Sequence, residues 1–270
     1  MVVRIAAALA FFVFAVAPAA AQNLAARFSK HDAASTETVD HGDWGKLLGS
    51  YVRASADGVN RVDYRRFKAQ GQRTLDAYLL KLEGVKVTTL SRNEQFAYWA
   101  NLYNAATVAV VLKHYPVSSI RDIGGSLFAK GPWKMKVVKV EGVDLSLDDI
   151  EHNILRPIWR DPRVHYAVNC ASIGCPNLLR EPFTGEKLGG QLSAAARAYV
   201  NHPRGFSVSG GSVKASQIYS WYAADFGGNA AGVLRHARRY ARGELANALG
   251  QATTISSYDY DWALNDTASR

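Results

Sequence analysis

Both cysteines of the chain lie in one short segment that also contains a histidine. Residues 164–176 read Val-His-Tyr-Ala-Val-Asn-Cys-Ala-Ser-Ile-Gly-Cys-Pro, and their reactive side chains are His165, Cys170 and Cys175. The apolar start of this segment, residues 164–168, predicts a β-strand, and the small residues after it predict a loop closed by proline. A strand holds polar groups in place while a loop leaves them open to a ligand. We therefore expect a functional site in this segment.

A thiol enzyme is the first function that these residues suggest. Cys170 would be the nucleophile, because a thiolate attacks carbonyl carbon or sulfur readily and a histidine base can activate it. His165 lies five positions before Cys170, so a regular strand would point the two side chains to opposite faces. We therefore favour His152, on the preceding predicted helix, as the base, and keep His165 as a candidate that needs a bulge in the strand. Cys175 would be a second, resolving thiol or the nucleophile itself.

Polar residues on two predicted helices would complete such a site. Glu151 or Asn101 would orient the base. Asn101 and Asn104 share one helix face, where they would either bond to nearby backbone or orient a catalytic or ligand group. The candidate substrate-binding residues are Tyr103, Asn104, Arg156 and Ser172. The reaction would be amide, ester or thiol–disulfide chemistry on an unknown small-molecule or peptide substrate.

Two other roles remain open for the same side chains. A tetrahedral zinc site would use nitrogen and sulfur ligands, and the chain offers His152, His165, Cys170 and Cys175. The gap between the cysteines is wider than the two residues usual in zinc sites, so we predict no bound metal, and we predict no cofactor. In a non-enzymatic binding or scaffold protein, Cys170 and Cys175 would form a structural disulfide, although so short a loop gives little entropic stabilisation. Whether the chain is an enzyme stays undecided at this point.

The first residues of the chain have the pattern of a secretory signal peptide. Arg4 precedes an apolar run at residues 5–16, and small residues precede a predicted cleavage site before Gln22. The run is shorter than the roughly 20 residues that span a bilayer. We therefore expect residues 1–21 to be removed and the mature chain to reach the periplasm or the extracellular space without a transmembrane segment. Export argues against a nucleic-acid partner in spite of the formal net charge of +9.

Two capping patterns and one hairpin indicate the elements that would position the site. A capping box at residues 91–94 would begin the longest helix, which would end near His114 because Pro116 follows. Residues 133–140 and 143–147 alternate around a Glu-Gly turn and predict a β-hairpin. A second capping pattern at residues 146–149 predicts a helix over residues 148–156 that carries Glu151 and His152.

Helices separated by short strands predict an α+β domain. Further helices are predicted at residues 44–51, 64–82, 188–200 and 229–249. We expect these helices to pack around a small antiparallel sheet built from residues 133–147 and 164–170. The single domain would cover residues 44–265, between a flexible segment at residues 22–43 and a tail at residues 266–270.

Several phrases of the sequence together resemble one family. Residues 95–104, Gln-Phe-Ala-Tyr-Trp-Ala-Asn-Leu-Tyr-Asn, resemble a Trp-x-Asn-x-Tyr-Asn helix, and residues 150–156 resemble a Glu-His-x-Ile-Leu-Arg phrase. Further matching phrases lie at residues 161–167, 170–176, 221–226 and 260–265. The chain is thereby similar to the family called domain of unknown function 547 over about residues 44–265. The resemblance implies no settled activity, and it implies a remote likeness to the papain and transglutaminase superfamily.

Overall fold

Helices make up about half of the described chain, and the strands between them are short. The structure, a computed structural model, describes residues 19–126 and 129–268. Most of the predicted signal peptide, residues 1–18, and the end of the predicted tail, residues 269–270, lie outside the described residues. The α-helices are Ala19–Phe28, Gly42–Tyr51, Tyr64–Gln70, Gln72–Glu83, Arg92–His114, Arg156–Trp159, Val164–Ala167, Leu188–Val200, Ile218–Trp221, Ala230–Arg238 and Gly243–Gln251. Short 3₁₀ turns cover Val87–Thr89, Ile120–Asp122 and Ala223–Phe226. The strands are Val52–Ala54, Asn60–Val62, Gly125–Ser126, Ala129–Lys130, Lys136–Val140, Val143–Ser146, Phe206–Ser209, Ser212–Ser216 and Ser257–Asp259.

The helix Arg92–His114, called the central helix below, runs through the main hydrophobic core. Every residue from position 94 to position 108 is buried, so the helix is enclosed on all sides rather than along one stripe. Its bounds confirm the prediction from the sequence. The predicted capping box is wrong, because the Ser91 side chain caps nothing. The Glu94 carboxylate instead accepts hydrogen bonds from the backbone N–H groups of Val39 (2.8 Å) and Gly185 (3.0 Å), and so links two distant segments to the helix.

The sheets are small, as expected for an α+β fold. The predicted hairpin is confirmed as Lys136–Val140 paired antiparallel with Val143–Ser146. The largest sheet has three strands: Phe206–Ser209 pairs antiparallel with Ser212–Ser216, which pairs parallel with Ser257–Asp259. A second hydrophobic cluster, rich in tyrosine, packs beneath this sheet.

The predicted strand at residues 164–170 is wrong, and this segment joins no sheet. Val164–Ala167 is a single helical turn, and all four of its residues are buried. Apolar runs of this length are compatible with either a buried strand or a buried helix, and here no neighbouring strand offers backbone partners. The Asn104 side chain bonds to this backbone instead: its amide NH₂ donates to the Ala167 carbonyl (2.9 Å), and its oxygen accepts from the Asn169 N–H (2.8 Å).

Two of the predicted long helices are broken in the structure. The predicted helix at residues 64–82 breaks at Gly71. A Cβ added there would lie 2.6 Å from a ring carbon of Tyr51, so only glycine fits this close approach. The predicted helix at residues 229–249 is divided into Ala230–Arg238 and Gly243–Gln251. The helical conformation continues past residue 156, because Pro157 lies in the first turn of the helix Arg156–Trp159, where proline is tolerated.

The segment before residue 44 has a firm anchor in the core. Phe28 ends the first helix, is fully buried, and packs edge-on against Trp99 with ring centroids 5.0 Å apart. Within residues 19–126 and 129–268, no helix combines the length and the apolar character that crossing a bilayer requires.

Candidate functional site

A loop that contains both cysteines follows the short helix Val164–Ala167. This cysteine loop, residues 170–175, is held by Asn169, whose side chain accepts from the Ala171 N–H (2.9 Å) and donates to the Pro176 carbonyl (2.7 Å). Ala171 has a φ of 59°, a left-handed conformation that is uncommon for residues other than glycine. Because backbone strain of this kind is often found at functional sites, the loop is a candidate for one.

The Cys170 sulfur lies within hydrogen-bond range of three polar groups. Its distances are 2.8 Å to Cys175 Sγ, 3.1 Å to Tyr260 Oη and 3.2 Å to Ser172 Oγ. The two cysteines are not joined by a disulfide. The backbone N–H of Cys170 also donates to Cys175 Sγ at 2.9 Å. These contacts place the two sulfur atoms so that a proton can be transferred between them or a disulfide bond can form.

The two thiols differ in acidity and in exposure. Hydrogen bonds from Cys175, Ser172 and Tyr260 lower the pKa of Cys170, against the effect of burial. Burial raises the pKa of Cys175 well above that of an ordinary thiol. Cys170 is half-buried at the surface of a cavity, whereas Cys175 is buried. The surroundings therefore favour the thiolate form more at the accessible Cys170 than at the buried Cys175.

His165 lies between two carboxylates. Its Nε2 donates to Asp225 Oδ2 at 2.7 Å, and its Nδ1 lies 3.6 Å from Glu151 Oε1. Burial lowers the pKa of His165, but the hydrogen bonds to Asp225 and Glu151 outweigh it, and the pKa is raised overall. The ring stacks on Tyr222 with centroids 4.2 Å apart. These contacts favour the imidazolium form of His165 over the neutral ring.

Both carboxylates beside His165 stay charged although they are partly or fully buried. Burial raises the pKa of Glu151, and His165, His152 and Tyr103 together lower it further than burial raises it. For Asp225, burial is likewise outweighed by hydrogen bonds from His165 and from Arg156, whose Nε lies 2.6 Å away, so its pKa is lowered. The group is a compact network of two anions and two cations.

The residues Glu151 and His152 lie on a π-helical segment, Asp149–Leu155. The predicted capping pattern before it is confirmed by two reciprocal bonds: Ser146 Oγ accepts from the Asp149 N–H (3.1 Å), and Asp149 Oδ2 accepts from the Ser146 N–H (2.9 Å). Single π-helical turns are rare and often occur at functional sites. This turn directs the Glu151 carboxylate towards His165 and leaves His152 half-buried.

A cavity of about 630 Å³ brings the cysteine loop and this charged network together. It is lined by Tyr103, Gly131, Trp133, Lys134, Met135, Asp148, Glu151, His152, His165, Val168, Cys170, Cys175, Pro176, Ile218, Trp221, Tyr222, Tyr260 and Trp262. Aromatic and other apolar side chains form most of this lining, with a few polar groups among them, as in typical ligand sites.

Most of the residues singled out from the sequence meet at this cavity. Cys170, Cys175, His152, His165, Glu151 and Tyr103 line it. Ser172 contacts the Cys170 sulfur from within the loop. Arg156 stands behind the cavity, where its guanidinium donates to His152 Nδ1 (3.3 Å) and borders a second cavity of about 440 Å³.

The two asparagines of the central helix hold backbone and do not reach the cavity. Asn101 is bonded twice to Phe183, donating to its carbonyl (2.8 Å) and accepting from its N–H (3.0 Å). The structure therefore does not bring Asn101 to either histidine as an orienting group. Asn104 fixes the chain before the cysteine loop through Ala167 and Asn169, so it acts on the site through the backbone.

Among the described residues, the hydrogen-bond partners of the Cys170 sulfur are Cys175, Ser172 and Tyr260. Neither His152 nor His165 is one of them. Within the same part of the chain, no group of three or more His, Cys, Asp or Glu side chains is placed to hold a metal ion.

Three residues of the site were not among the sequence candidates. Tyr260 is hydrogen-bonded to the Cys170 sulfur, Asp225 is hydrogen-bonded to His165, and Tyr222 stacks on the His165 ring. All three lie in phrases that are rich in aromatic and acidic residues, at positions 221–226 and 260–265. That composition is the signal from which the sequence could have indicated them.

Comparison with known proteins gives a match to a family of unknown function. The family model described as "Protein of unknown function, DUF547" matches residues 87–200. No curated protein and no solved structure matches the chain.

Proposed function

We propose from the site itself that this chain, which matches the DUF547 family model over residues 87–200, is a thiol enzyme that exchanges disulfides through Cys170 and Cys175. The observation that carries the proposal is the pair of sulfur atoms 2.8 Å apart, one on an accessible thiol of lowered pKa and one on a buried thiol of raised pKa. Thiol–disulfide exchange needs this asymmetry, with one thiolate that attacks and a second thiol that resolves the intermediate.

The exchange has two steps. The Cys170 thiolate attacks one sulfur of a substrate disulfide, so that a bond forms between Cys170 and that sulfur while the other substrate sulfur leaves as a thiolate. Cys175 then attacks Cys170 Sγ, which releases the second substrate thiolate and joins the two cysteines. The proton that Cys175 loses passes to a departing substrate thiolate. The dithiol pair is oxidised by two electrons and the substrate disulfide is reduced by two; an external dithiol returns the pair to its starting state.

Ser172 and Tyr260 stabilise the attacking thiolate. Burial raises the pKa of Tyr260 well above its ordinary value, so its hydroxyl keeps its proton and donates to sulfur. The Ser172 hydroxyl lies 3.2 Å from the sulfur and 2.8 Å from the Tyr260 hydroxyl, so the sulfur and the two hydroxyls form one hydrogen-bonded triangle. Hydrogen bonds to a charged acceptor are the stronger ones, which supports a role for both hydroxyls in keeping Cys170 reactive.

A second candidate is acyl transfer from an ester or amide with a histidine base. The observation in its favour is that His152 and His165 line the same cavity as Cys170. The raised pKa of His165, which lies between Asp225 and Glu151, weighs against a role for this histidine as the base. The third candidate, a non-enzymatic protein with a structural disulfide, is favoured by the closeness of the two sulfur atoms alone.

The experiment is a trapping assay on the reduced protein with hydroxyethyl disulfide, read by mass spectrometry of the intact chain. The wild type is expected to end as an internal Cys170–Cys175 disulfide with no adduct. Cys175→Ser is expected to stop as a stable mixed disulfide on Cys170, and Cys170→Ser is expected not to react, since Cys175 is buried.

Other outcomes of the same assay contradict the proposal. Equal reaction of Cys170→Ser and wild type would show that Cys170 is not the attacking thiol. If Cys175→Ser accumulates no adduct while an activated ester acylates Cys170 in both proteins, the acyl-transfer candidate replaces disulfide exchange. A native protein whose thiols react only after unfolding supports the structural role.

We also propose that the reaction takes place outside the cytoplasm, on a small-molecule or peptide substrate. The support is the signal-peptide pattern of residues 1–21. Intact mass of the protein from cell fractions tests this proposal: a mature chain that begins at Gln22 in the exported fraction is expected, and a chain that keeps Met1 in the cytoplasm would contradict it.

A further inference from the structure

A continuous row of aromatic rings leads away from the Cys170 sulfur along the cavity. The Tyr260 hydroxyl lies 3.1 Å from the sulfur, and the Tyr260 ring centroid lies 4.9 Å from that of Trp221 and 4.6 Å from that of Trp262. Trp262 in turn contacts Trp133 at 5.7 Å. These four rings, called the aromatic wall below, all line the cavity. A ligand that reacts at Cys170 must therefore lie close to them.

The outer part of the aromatic wall exposes apolar surface. Among the described residues, the exposed large apolar side chains are Leu80, Met135, Val208 and Trp221. Two of these four, Met135 and Trp221, line this one cavity, with 39% and 45% of their surfaces exposed. Exposed apolar surface concentrated in one hollow is typical of a binding site.

The aromatic wall complements an uncharged, flat group. None of its rings is charged, because burial keeps Tyr260 protonated. The Arg121 guanidinium already covers the Trp262 ring at 5.0 Å from its centroid. Trp221, with its large exposed fraction, is therefore the ring that offers the most free surface for stacking, and it is one ring away from the reactive sulfur.

We propose that the aromatic wall binds an aromatic or similarly flat apolar group next to the reacting sulfur of the substrate. The preferred substrates are then disulfides in which such a group lies within a few bonds of the sulfur, and Trp221 is the residue that sets the preference. The inference rests on the proposed function for its reaction, whereas the recognition of the flat group is measurable without any disulfide exchange.

The experiment compares two alkylating agents that share one reactive group. Iodoacetamide and its N-phenyl derivative, iodoacetanilide, are applied to the reduced full chain, and the label on Cys170 is followed by peptide mass spectrometry. Each rate is divided by the rate with N-acetylcysteine, which removes the intrinsic reactivity of the agent. Stacking and burial of one phenyl ring are expected to make this normalised rate about tenfold higher for the anilide.

Variants of Trp221 connect the preference to the aromatic wall. Trp221→Leu keeps an apolar side chain but removes the ring. Its normalised rate with iodoacetanilide is expected to fall to its normalised rate with iodoacetamide. Trp221→Phe keeps a ring and is expected to retain most of the preference. Leu80→Ala is the control, because Leu80 is equally apolar, is 70% exposed, and does not line the cavity.

The outcomes separate this inference from the proposed function. A normalised anilide rate equal to the iodoacetamide rate in the wild type, or an unchanged preference in Trp221→Leu, overturns the inference even if hydroxyethyl disulfide is reduced. A tenfold preference that depends on Trp221, found in a protein that does not exchange disulfides, keeps the aromatic site and overturns disulfide exchange alone.

Discussion

The chemistry of the site depends on the surroundings of one sulfur atom. Cys170 meets a buried thiol, a serine hydroxyl and a tyrosine hydroxyl within 3.2 Å. Of these, Tyr260 comes from a segment that is 90 positions away in the sequence. Its phenol contacts both the thiol and the aromatic wall, so in the proposed function a single residue serves activation and binding.

Removing the Tyr260 hydroxyl is expected to slow the reaction of Cys170. Tyr260→Phe keeps the ring but loses one donor to the thiolate, and a net hydrogen bond of about 1 kcal/mol corresponds to a rate at pH 7 that is lower by about fivefold. The measurement is the rate of iodoacetamide labelling at Cys170 in the reduced protein. Tyr258→Phe is the control, since the Tyr258 hydroxyl makes no hydrogen bond within the described residues. Equal rates for the two variants would show that Tyr260 does not activate the thiol.

The π-helical segment and the short helix Val164–Ala167 are held together by charge. Glu151 comes from the first element and His165 from the second, while Asp225 approaches from the 3₁₀ turn Ala223–Phe226. His165 is buried between them, so its contacts with both carboxylates connect the three elements. This network keeps one wall of the cavity in place.

The His165–Asp225 pair is expected to give the protein a stability that depends on pH. The pKa of His165 is raised in the folded state, so its contribution is complete below about pH 6.5 and is lost as the pH rises through the native value. The pKa of Asp225 is lowered, so its contribution is present above about pH 3.9 and is lost as the pH falls. The wild type should thus have a higher free energy of unfolding than Asp225→Asn. The difference should be largest between about pH 4 and pH 6.5, at roughly 1–3 kcal/mol.

Urea unfolding across this pH range measures the difference. Asp259→Asn is the matched control, because Asp259 forms an exposed pair with Lys214 (2.6 Å) that should contribute little. A gap between wild type and Asp225→Asn that widens above pH 6.5, or one no larger than the gap for the control, would contradict the account of the network.

At the scale of the whole molecule, the segment at residues 257–266 closes the site. It pairs parallel with Ser212–Ser216 and then runs along the cysteine loop, where the N–H groups of Ile173 and Gly174 donate to the carbonyls of Ala263 and Asp261, each at 2.8 Å. The family match at residues 87–200 covers the thiols and the charged residues of the π-helical segment. Trp133 also lies within it, whereas Trp221, Tyr260, Trp262 and Asp225 lie beyond it, so the complete cavity requires the rest of the chain.

The close approach of the cysteine loop to this segment predicts the effect of one glycine. A Cβ at Gly174 would lie 2.9 Å from the backbone N and O of Asp261, so Gly174→Ala must move one backbone away from the other. We expect this to lower the free energy of unfolding by roughly 1–3 kcal/mol and the melting temperature by several degrees. Gly189→Ala, in an open helical position, is expected to be neutral or stabilising by up to about 1 kcal/mol.

Calorimetry of both variants tests this close approach. A Gly174→Ala protein as stable as Gly189→Ala would mean that the two segments are not in contact. A destabilised Gly174→Ala protein should also label Cys175 faster, because the loop that buries this thiol is displaced.

Sequence reasoning succeeded where the signals are local. Pro116 and the apolar run before it define the central helix, and the Glu-Gly turn at residues 141–142 defines the hairpin. Reasoning failed where distant groups decide the outcome. Residues 164–167 form a helical turn because Asn104, some sixty positions away, satisfies the backbone that a strand neighbour would satisfy.

The same distinction applies to the candidate site. The sequence indicated the cysteines, His152, His165 and Glu151 because their types are reactive and their spacing is short. It assigned a histidine to Cys170, whereas Tyr260 and Ser172 are the partners of the sulfur besides Cys175. No local pattern predicts that a tyrosine ninety positions later reaches this sulfur, since only the packing of the C-terminal segment brings it there.

The most direct test of the account is the pH dependence of the labelling rate at each cysteine of the reduced, folded wild type, followed by peptide mass spectrometry with iodoacetamide. We predict that Cys170 reaches half of its maximal labelling rate below about pH 8.5, the pKa of an ordinary thiol, and that Cys175 stays unlabelled across the pH range in which the protein is folded. A Cys170 that titrates like a free cysteine, or two cysteines that label at equal rates, would contradict it.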